Sequence, residues 1–259
     1  MTSGRLVFIT GASSGIGQAL AMRFHRAGYR LALVARRSDE VARWAAGAGL
    51  DPSRFTIHAA DVRDVAAITE VGRACIAGQG VPDVVIANAG ISVGFDTAEP
   101  ADLEVMRRTF ETNVLGMAAT FQPFVAPMRE RRSGRLVGIA SVAGIRGLPG
   151  HGAYCSSKAA VASYCESLRG ELRPFGVKVV TIAPGYIDTP LTHGNRYAMP
   201  FLMKADAFAD RAWRAIEAGT SWRVIPWQMG IVACLLRVVP NALFDRAVAG
   251  RPRKQRQGE

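Results

Sequence analysis

"TGASSGIG", residues 10–17, follows the apolar run "RLVFIT" (5–10) directly and passes straight into a helical stretch near 15–27. Strand, glycine turn and helix start together form a local unit whose backbone amides can hold an anion. Gly11 permits the tight turn, Gly15 lets amides approach a pyrophosphate, and Gly17 allows close helix–strand packing. The positive end of the helix dipole then favours the anion. A purely structural turn is the competing reading, and the rest of the chain decides between them.

Outward from this turn, apolar runs alternate with helical stretches. Candidate strands are 5–10, 30–35, 54–59, 83–88, 135–140, 178–183 and 221–226, and candidate helices lie near 15–27, 39–47, 64–78, 101–131, 153–173 and 205–218. Unalternated Val/Ile/Leu runs separated by helices are what a parallel sheet covered on both faces requires. The pattern predicts a single α/β domain, a doubly wound parallel sheet of about seven strands, with chemistry at the strands' carboxyl ends.

Composition narrows the function classes. The 259 residues carry a formal net charge of +11, with 49% hydrophobic and 20% charged residues. No helix-turn-helix, zinc-finger or aromatic stacking pattern accompanies the arginines, so nucleic acid is not an expected partner. An anionic cofactor or an anionic membrane surface accounts for the charge instead. Cys75, Cys155, Cys165 and Cys234 lack paired spacing, and no export signal is visible, which predicts a cytoplasmic protein. The four histidines have no metal-ligand spacing, so no metal is expected.

"YCSSK" (154–158) places Tyr154 and Lys158 one helical turn apart. Two readings stand for the pair alone: a surface contact, or an ammonium that lowers the phenol's pKa for proton transfer. Ser141 ends the run "RLVGIA" thirteen residues earlier, and "NVLG" (113–116) supplies Asn113. With "DV" (61–62), "NAG" (88–90) and "PGYIDT" (184–189), in this order and spacing, residues 5–190 resemble the short-chain dehydrogenase/reductases.

That resemblance implies a single-domain Rossmann-type fold and an NAD(P)-linked oxidoreductase. It implies cofactor contacts from Gly11, Ser13, Ser14, Gly15, Ile16 and Gly17, from Asp61 and Val62, and from Asn88, Ala89 and Gly90. Tyr154, Lys158, Pro184, Gly185, Ile187 and Thr189 complete the cofactor set. The implied catalytic group is Asn113, Ser141, Tyr154 and Lys158: Tyr154 as acid and base, Ser141 on the substrate oxygen, Lys158 on the ribose, and Asn113 ordering a proton relay. A non-catalytic, cofactor-binding regulatory protein of the same fold is the alternative.

At the end of the second strand, Ala35 stands where an acid would grip the ribose of NAD, and Arg36 and Arg37 follow. Two guanidiniums attract a 2′-phosphate, so NADP(H) is favoured over NAD(H). Residues 189–218 are expected as a substrate lid, and Ser141, Ile145 and Tyr186 as substrate contacts, with Ile91, Val93, Phe95, Val142, Leu148, Leu191 and Phe201 as further lining. These side chains suggest a hydrophobic ketone or secondary alcohol. By resemblance, the helices near 101–131 and 153–173 form a homodimer interface. The catalytic domain is expected over 1–226. Residues 227–259 add an apolar helix, with Leu243, Phe244, Ala247 and Val248 grouped after it, and a basic tail, Arg251, Arg253, Lys254 and Arg256. Two roles remain open for this extension: a cover over the pocket or dimer contact, with the tail solvated, which is preferred, or peripheral attachment to an anionic leaflet.

Overall fold

A computed structural model describes residues 4–195, 197–250 and 252–256. β1 (Leu6–Thr10), β2 (Arg30–Ala35) and β3 (Phe55–Ala59) lead into helices α1 (Gly15–Arg26), α2 (Ser38–Gly47) and α3 (Val65–Gln79). β4 (Val84–Ala87) precedes a continuous helical stretch, α4 (Asp102–Phe110) and α5 (Gly116–Arg131), joined by a π turn over Glu111–Leu115. β5 (Arg135–Ile139), α6 (Gly152–Leu172) and β6 (Lys178–Pro184) follow. A short pair, β7 (Ile187–Asp188) and β8 (Met203–Lys204), flanks α7 (Pro190–His193). The chain continues with α8 (Ala205–Ala218), β9 (Trp222–Ile225), α9 (Trp227–Val238) and α10 (Asn241–Val248).

Seven strands form one sheet in the order β3-β2-β1-β4-β5-β6-β9, every neighbouring pair parallel. The pleat sends Val7 and Ile9 of β1 into a core shared with α1, α2 and α8. Leu6 and Phe8 enter a second core shared with α3, α5 and α6. Because both faces are covered, both sets of side chains are apolar and the runs show no alternation. The strand order reverses between β1 and β4, and the crevice at such a reversal is where a doubly wound sheet binds its ligand.

Within the segment expected as a lid, α8 belongs to the layer over the sheet. Phe208, Ala212 and Ile216 are buried in the same core as Leu20 and Phe24 of α1. Only residues before α8 are left to cover a substrate.

The C-terminal extension is neither fully sequestered nor free. α9 buries Met229 and Ala233 and leaves Trp227, Ile231, Leu235 and Val238 exposed. Of the four residues grouped after it, only Phe244 is buried, with the Arg146 guanidinium 3.9 Å above its ring. Arg146 also donates to the Leu236 carbonyl and, at 2.9 Å, to Asn241 Oδ1. The tail, expected to be solvated, folds back: Arg256 donates to both Asp102 oxygens at 2.8 and 3.2 Å, and Arg253 lies 3.7 Å from Asp96. Arg251 lies outside the described residues. No helix among the described residues is long and apolar enough to cross a membrane.

Candidate active site

The glycine turn sits at the strand reversal and is pinned from β4. Asn88 Nδ2 donates to the Thr10 and Gly11 carbonyls at 3.1 and 3.2 Å, and Thr10 Oγ1 accepts from the Ala89 amide at 3.3 Å. Gly11 has a φ of +68°, and a Cβ there would come within 2.8 Å of the Ala89 backbone. A side chain is excluded by backbone conformation and by space together. Gly17 has no room either, because a Cβ would run into the Gly11 carbonyl. Ser14 precedes α1 in extended conformation without capping it by its side chain. The first-turn amides of α1 therefore face the cleft, where a helix has orphan donors to offer.

A cleft of 720 Å³ runs along the carboxyl ends of the strands. At its base lie Gly11, Ser13, Ser14, Gly15 and Ile16; Gly17 packs behind them. Asn88, Ala89 and Gly90 line the β4 side, and Pro184, Gly185, Ile187 and Thr189 the β6 side. Thr189 closes against the turn: a Cβ on Gly15 would lie 3.0 Å from the Thr189 side chain.

Arg36, Arg37, Asp61 and Val62 line one end. Arg63, which the sequence reading did not single out, lines it too and holds Asp61 at 2.7 Å, while Arg36 Nη1 is 3.7 Å from the same carboxylate. The Arg63 hydrogen bond holds Asp61 below the usual carboxylate range. Arg37 is paired with Glu40 at 3.0 Å, so three guanidiniums face two carboxylates and this end stays positive. The cleft as a whole fits a dinucleotide, with a ribose near the arginines and a pyrophosphate on the α1 amides.

At the other end, Ser141, Tyr154 and Lys158 line the cleft together. Ser141 is the second residue beyond the end of β5 at Ile139, with Oγ accepting from the Ala143 amide at 3.2 Å. Tyr154 lies in the first turn of α6, and Lys158 follows a turn later with Nζ 5.9 Å from the phenol ring centre. Lys158 Nζ donates to the Ile139 carbonyl at 2.8 Å.

Burial pushes the Tyr154 phenol above the ordinary tyrosine value, opposed by its hydrogen bond with Ser141. Burial also lowers the Lys158 ammonium, to about 8. Lys158, expected to draw the phenol downward, does not set its direction: burial does so at both groups, upward for Tyr154 and downward for Lys158.

Asn113 stands behind the cleft in the π turn. Its Oδ1 accepts from the Ile91 amide at 2.8 Å, and its Nδ2 donates to the Ile91 carbonyl and Ser157 Oγ, each at 3.0 Å. Ser157 Oγ donates in turn to the Tyr154 carbonyl at 2.8 Å. Asn113 thus ties the strand-end loop to the helix carrying Tyr154 and Lys158. A π turn widens the helix at that point and is common at functional sites.

Of the three expected substrate contacts, Ser141 lines the cleft and Ile145 and Tyr186 do not. Ile145 uses its carbonyl to accept from Arg237 at 3.0 Å, and Tyr186 packs 6.2 Å from the Tyr197 ring. Ile91, Val93 and Leu191 line the cleft, whereas Phe201 is 51% exposed with a φ of +58°. Tyr197 and His151 were not foreseen as a pair. Tyr197 OH donates to His151 Nε2 at 3.3 Å when the histidine is neutral, with Nδ1–H donating to the Pro149 carbonyl at 3.2 Å. Burial lowers His151 and so favours that neutral form. No local spacing joins residues 151 and 197.

A glycine turn at a parallel-sheet reversal, with a serine, tyrosine and lysine at the far end of one cleft, defines an α/β dinucleotide-dependent oxidoreductase architecture. The family model for short chain dehydrogenase matches residues 5–199. An uncharacterized oxidoreductase of Myxococcus xanthus is 39% identical over 248 residues, covering 94% of this chain and 96% of that one. A 3-ketodihydrosphingosine reductase of Bacteroides thetaiotaomicron is 28% identical, covering 94% and 87%. The structure of an alcohol dehydrogenase from Thermococcus sibiricus complexed with 5-hydroxy-NADP is 27% identical, with a TM-score of 0.75 and 85% and 95% coverage. The chain belongs to the short-chain dehydrogenase family and is an oxidoreductase acting on CH–OH groups.

Proposed function

We propose that this protein is an NADP(H)-dependent oxidoreductase that interconverts a ketone and a secondary alcohol on a hydrophobic substrate. The observation that carries this reading is the single cleft joining the Arg36/Arg37/Arg63 end to Ser141, Tyr154 and Lys158. The structure of the Thermococcus relative, complexed with 5-hydroxy-NADP, supports the choice of cofactor. Bound there, NADPH supplies the hydride.

The protein's own part is orientation and proton handling. The raised Tyr154 pKa keeps the phenol protonated at neutral pH, the form that donates to an oxygen becoming an alkoxide. Ser141 donates to the same oxygen and steadies its developing charge. Lys158, still mainly an ammonium at pH 7, holds the ribose hydroxyls and adds positive potential beside the phenol. Asn113 fixes the backbone at Ile91 and orders the proton path behind Lys158.

Ile91, Val93 and Leu191 give the substrate end an apolar lining, and residues 189–204 serve as its lid. The Bacteroides relative's name points to a long-chain ketone as the first substrate to try. The protein works in the cytoplasm as a homodimer, its catalytic domain spanning residues 1–226. Absorbance loss of NADPH against a panel of hydrophobic ketones tests the reading; turnover with NADH alone, or with no carbonyl at all, defeats it.

A further inference from the structure

Two surface features meet at the β9 edge of the sheet. Along α9, Trp227, Ile231, Leu235 and Val238 are 53–74% exposed. Their spacing of four, four and three keeps them on one side of the helix. Leu243, at the start of α10, is 59% exposed. The buried residues of α9 are Met229 and Ala233, and Met229 packs against Gly185.

Beside Trp227 opens a groove of 280 Å³ between α8 and β9, walled by Arg211, Arg214 and Arg223. Among the described residues, none of the three has an acidic partner. Two acids of α8 are engaged away from the groove: Asp210 holds Arg23 at 2.7 Å, and Glu217 holds Arg5 at 2.7 Å. Asp206 sits in the first turn of α8 and does not line the groove.

Water satisfies guanidiniums but not a stripe of large apolar side chains. The headgroup boundary of an anionic bilayer satisfies both. A second copy of the chain is a poorer occupant, because a twofold contact here would set the arginines against their own symmetry mates. The basic tail is not the attachment, since Arg253 and Arg256 are already paired with acids of this chain.

We propose that the exposed face of α9, with Leu243 and the arginine groove, docks on the surface of a bilayer rich in anionic phospholipid. The apolar stripe enters the boundary between headgroups and acyl chains, and the groove takes a lipid phosphate. Trp227 stands where the two meet, a position indole favours in membranes. Twelve residues of α9 lie along the surface without spanning it. The buried side of the helix rests on the loop carrying Gly185, so the docked face is one helix away from the cleft. This last point rests on the hydrophobic-substrate reading: a ketone dissolved in the bilayer would reach the site along a short path.

Co-sedimentation of the full chain with vesicles tests the docking without any substrate. Binding is expected to phosphatidylcholine vesicles containing phosphatidylglycerol and to be at least about tenfold weaker with phosphatidylcholine alone. Each arginine removed should cost roughly fivefold, hence about a hundredfold for Arg211→Gln/Arg214→Gln/Arg223→Gln. Ile231→Ser/Leu235→Ser should also weaken binding by about tenfold or more. Both variants change exposed side chains and should retain NADPH binding and the parent melting temperature, which separates loss of docking from loss of fold. Absence of wild-type binding to anionic vesicles overturns the proposal, as does binding that neither variant alters. Release by inorganic phosphate but not by chloride at equal ionic strength would assign the groove to a soluble phosphate and also overturn it. An oligomer abolished by the Ile231/Leu235 change, without vesicle binding, would give the face to self-association instead. Failure of the ketone assay would leave all these outcomes readable.

Discussion

Tyr154→Phe removes one oxygen and keeps the ring that borders the cleft. Turnover should fall about a hundredfold or more, the scale of lost general acid catalysis, while NADPH affinity measured by fluorescence stays close to that of the parent. Substantial remaining activity would end the acid–base assignment. Lys158 carries a second prediction because burial lowers its pKa from 10.5 to about 8. Between those values the unfolded chain binds more protons than the folded one, so stability of the cofactor-free protein rises with pH across that window. Below about 8 both states hold the proton, and the full cost of the buried ammonium is present, on the order of 3 kcal/mol. Lys158→Met should therefore raise the melting temperature at pH 7 by a few degrees, even after losing the hydrogen bond to Ile139, while activity disappears. That gain should shrink toward pH 10; an unchanged or lowered melting temperature at pH 7 would contradict it. At the ribose end, Ala35→Asp/Arg36→Ala should move the preference in kcat/KM from NADPH toward NADH by about tenfold or more, because a carboxylate replaces a phosphate-binding charge. Motif residues such as these were legible because strand-end chemistry needs fixed types at fixed spacing. Arg63 was not, although it stands only two residues after Asp61 and donates to it from both amide and guanidinium, because an arginine in a loop after a strand can equally face solvent.

At the level of elements, the seven strands could be read because each is an apolar run that both covering layers require. The two-residue strands β7 and β8 could not, being too short to show a period. α8 looked like lid because it follows Thr189 in sequence; its buried stripe of Phe208, Ala212 and Ile216 is the feature that returns it to the core. The tail was illegible for a different reason: its partners lie between 63 and 161 residues away in the chain. Arg256 grips Asp102, Gly94 donates to the Gln255 carbonyl at 2.9 Å, and Lys254 donates to the Leu191 carbonyl at 3.1 Å. The tail thereby ties the β4–α4 loop to α7, two walls that contribute Val93 and Leu191 to the cleft. Arg256→Ala should free it, so that trypsin cuts after Arg253 or Lys254 about tenfold faster with little change in the melting temperature. Hydrogen bonding to Arg256 holds Asp102 below the usual carboxylate range. The fastening is thus present above the ordinary aspartate pKa and should be lost only as pH falls through that lowered value. Equal cleavage of parent and variant would mean the tail is held by something other than this pair.

Across the whole molecule, two surfaces compete for explanation, and they lie on different parts of it. The β9 edge carries the arginines of α8 and β9 and the bare side of α9. The layer of α3, α5 and α6 covers one face of the sheet. The outward side of α5 and α6 includes Leu115 at its start, half exposed, and then small residues such as Ala126, Ala159 and Ser163. Small side chains let two helix pairs approach closely, and an isologous twofold contact then repeats the same packing twice. A homodimer built there leaves the β9 edge of each subunit uncovered, so dimerisation and docking do not exclude each other. Leu115→Arg/Ala159→Arg puts four cations into that contact, two from each subunit, and like charges facing across a packed interface cost several kcal/mol. Sedimentation velocity at micromolar concentration should show the parent as a dimer and this variant as a monomer, with the parent's affinity for anionic vesicles retained per subunit apart from the lost avidity. A monomeric parent, or a variant that remains dimeric, would place the interface elsewhere on the chain.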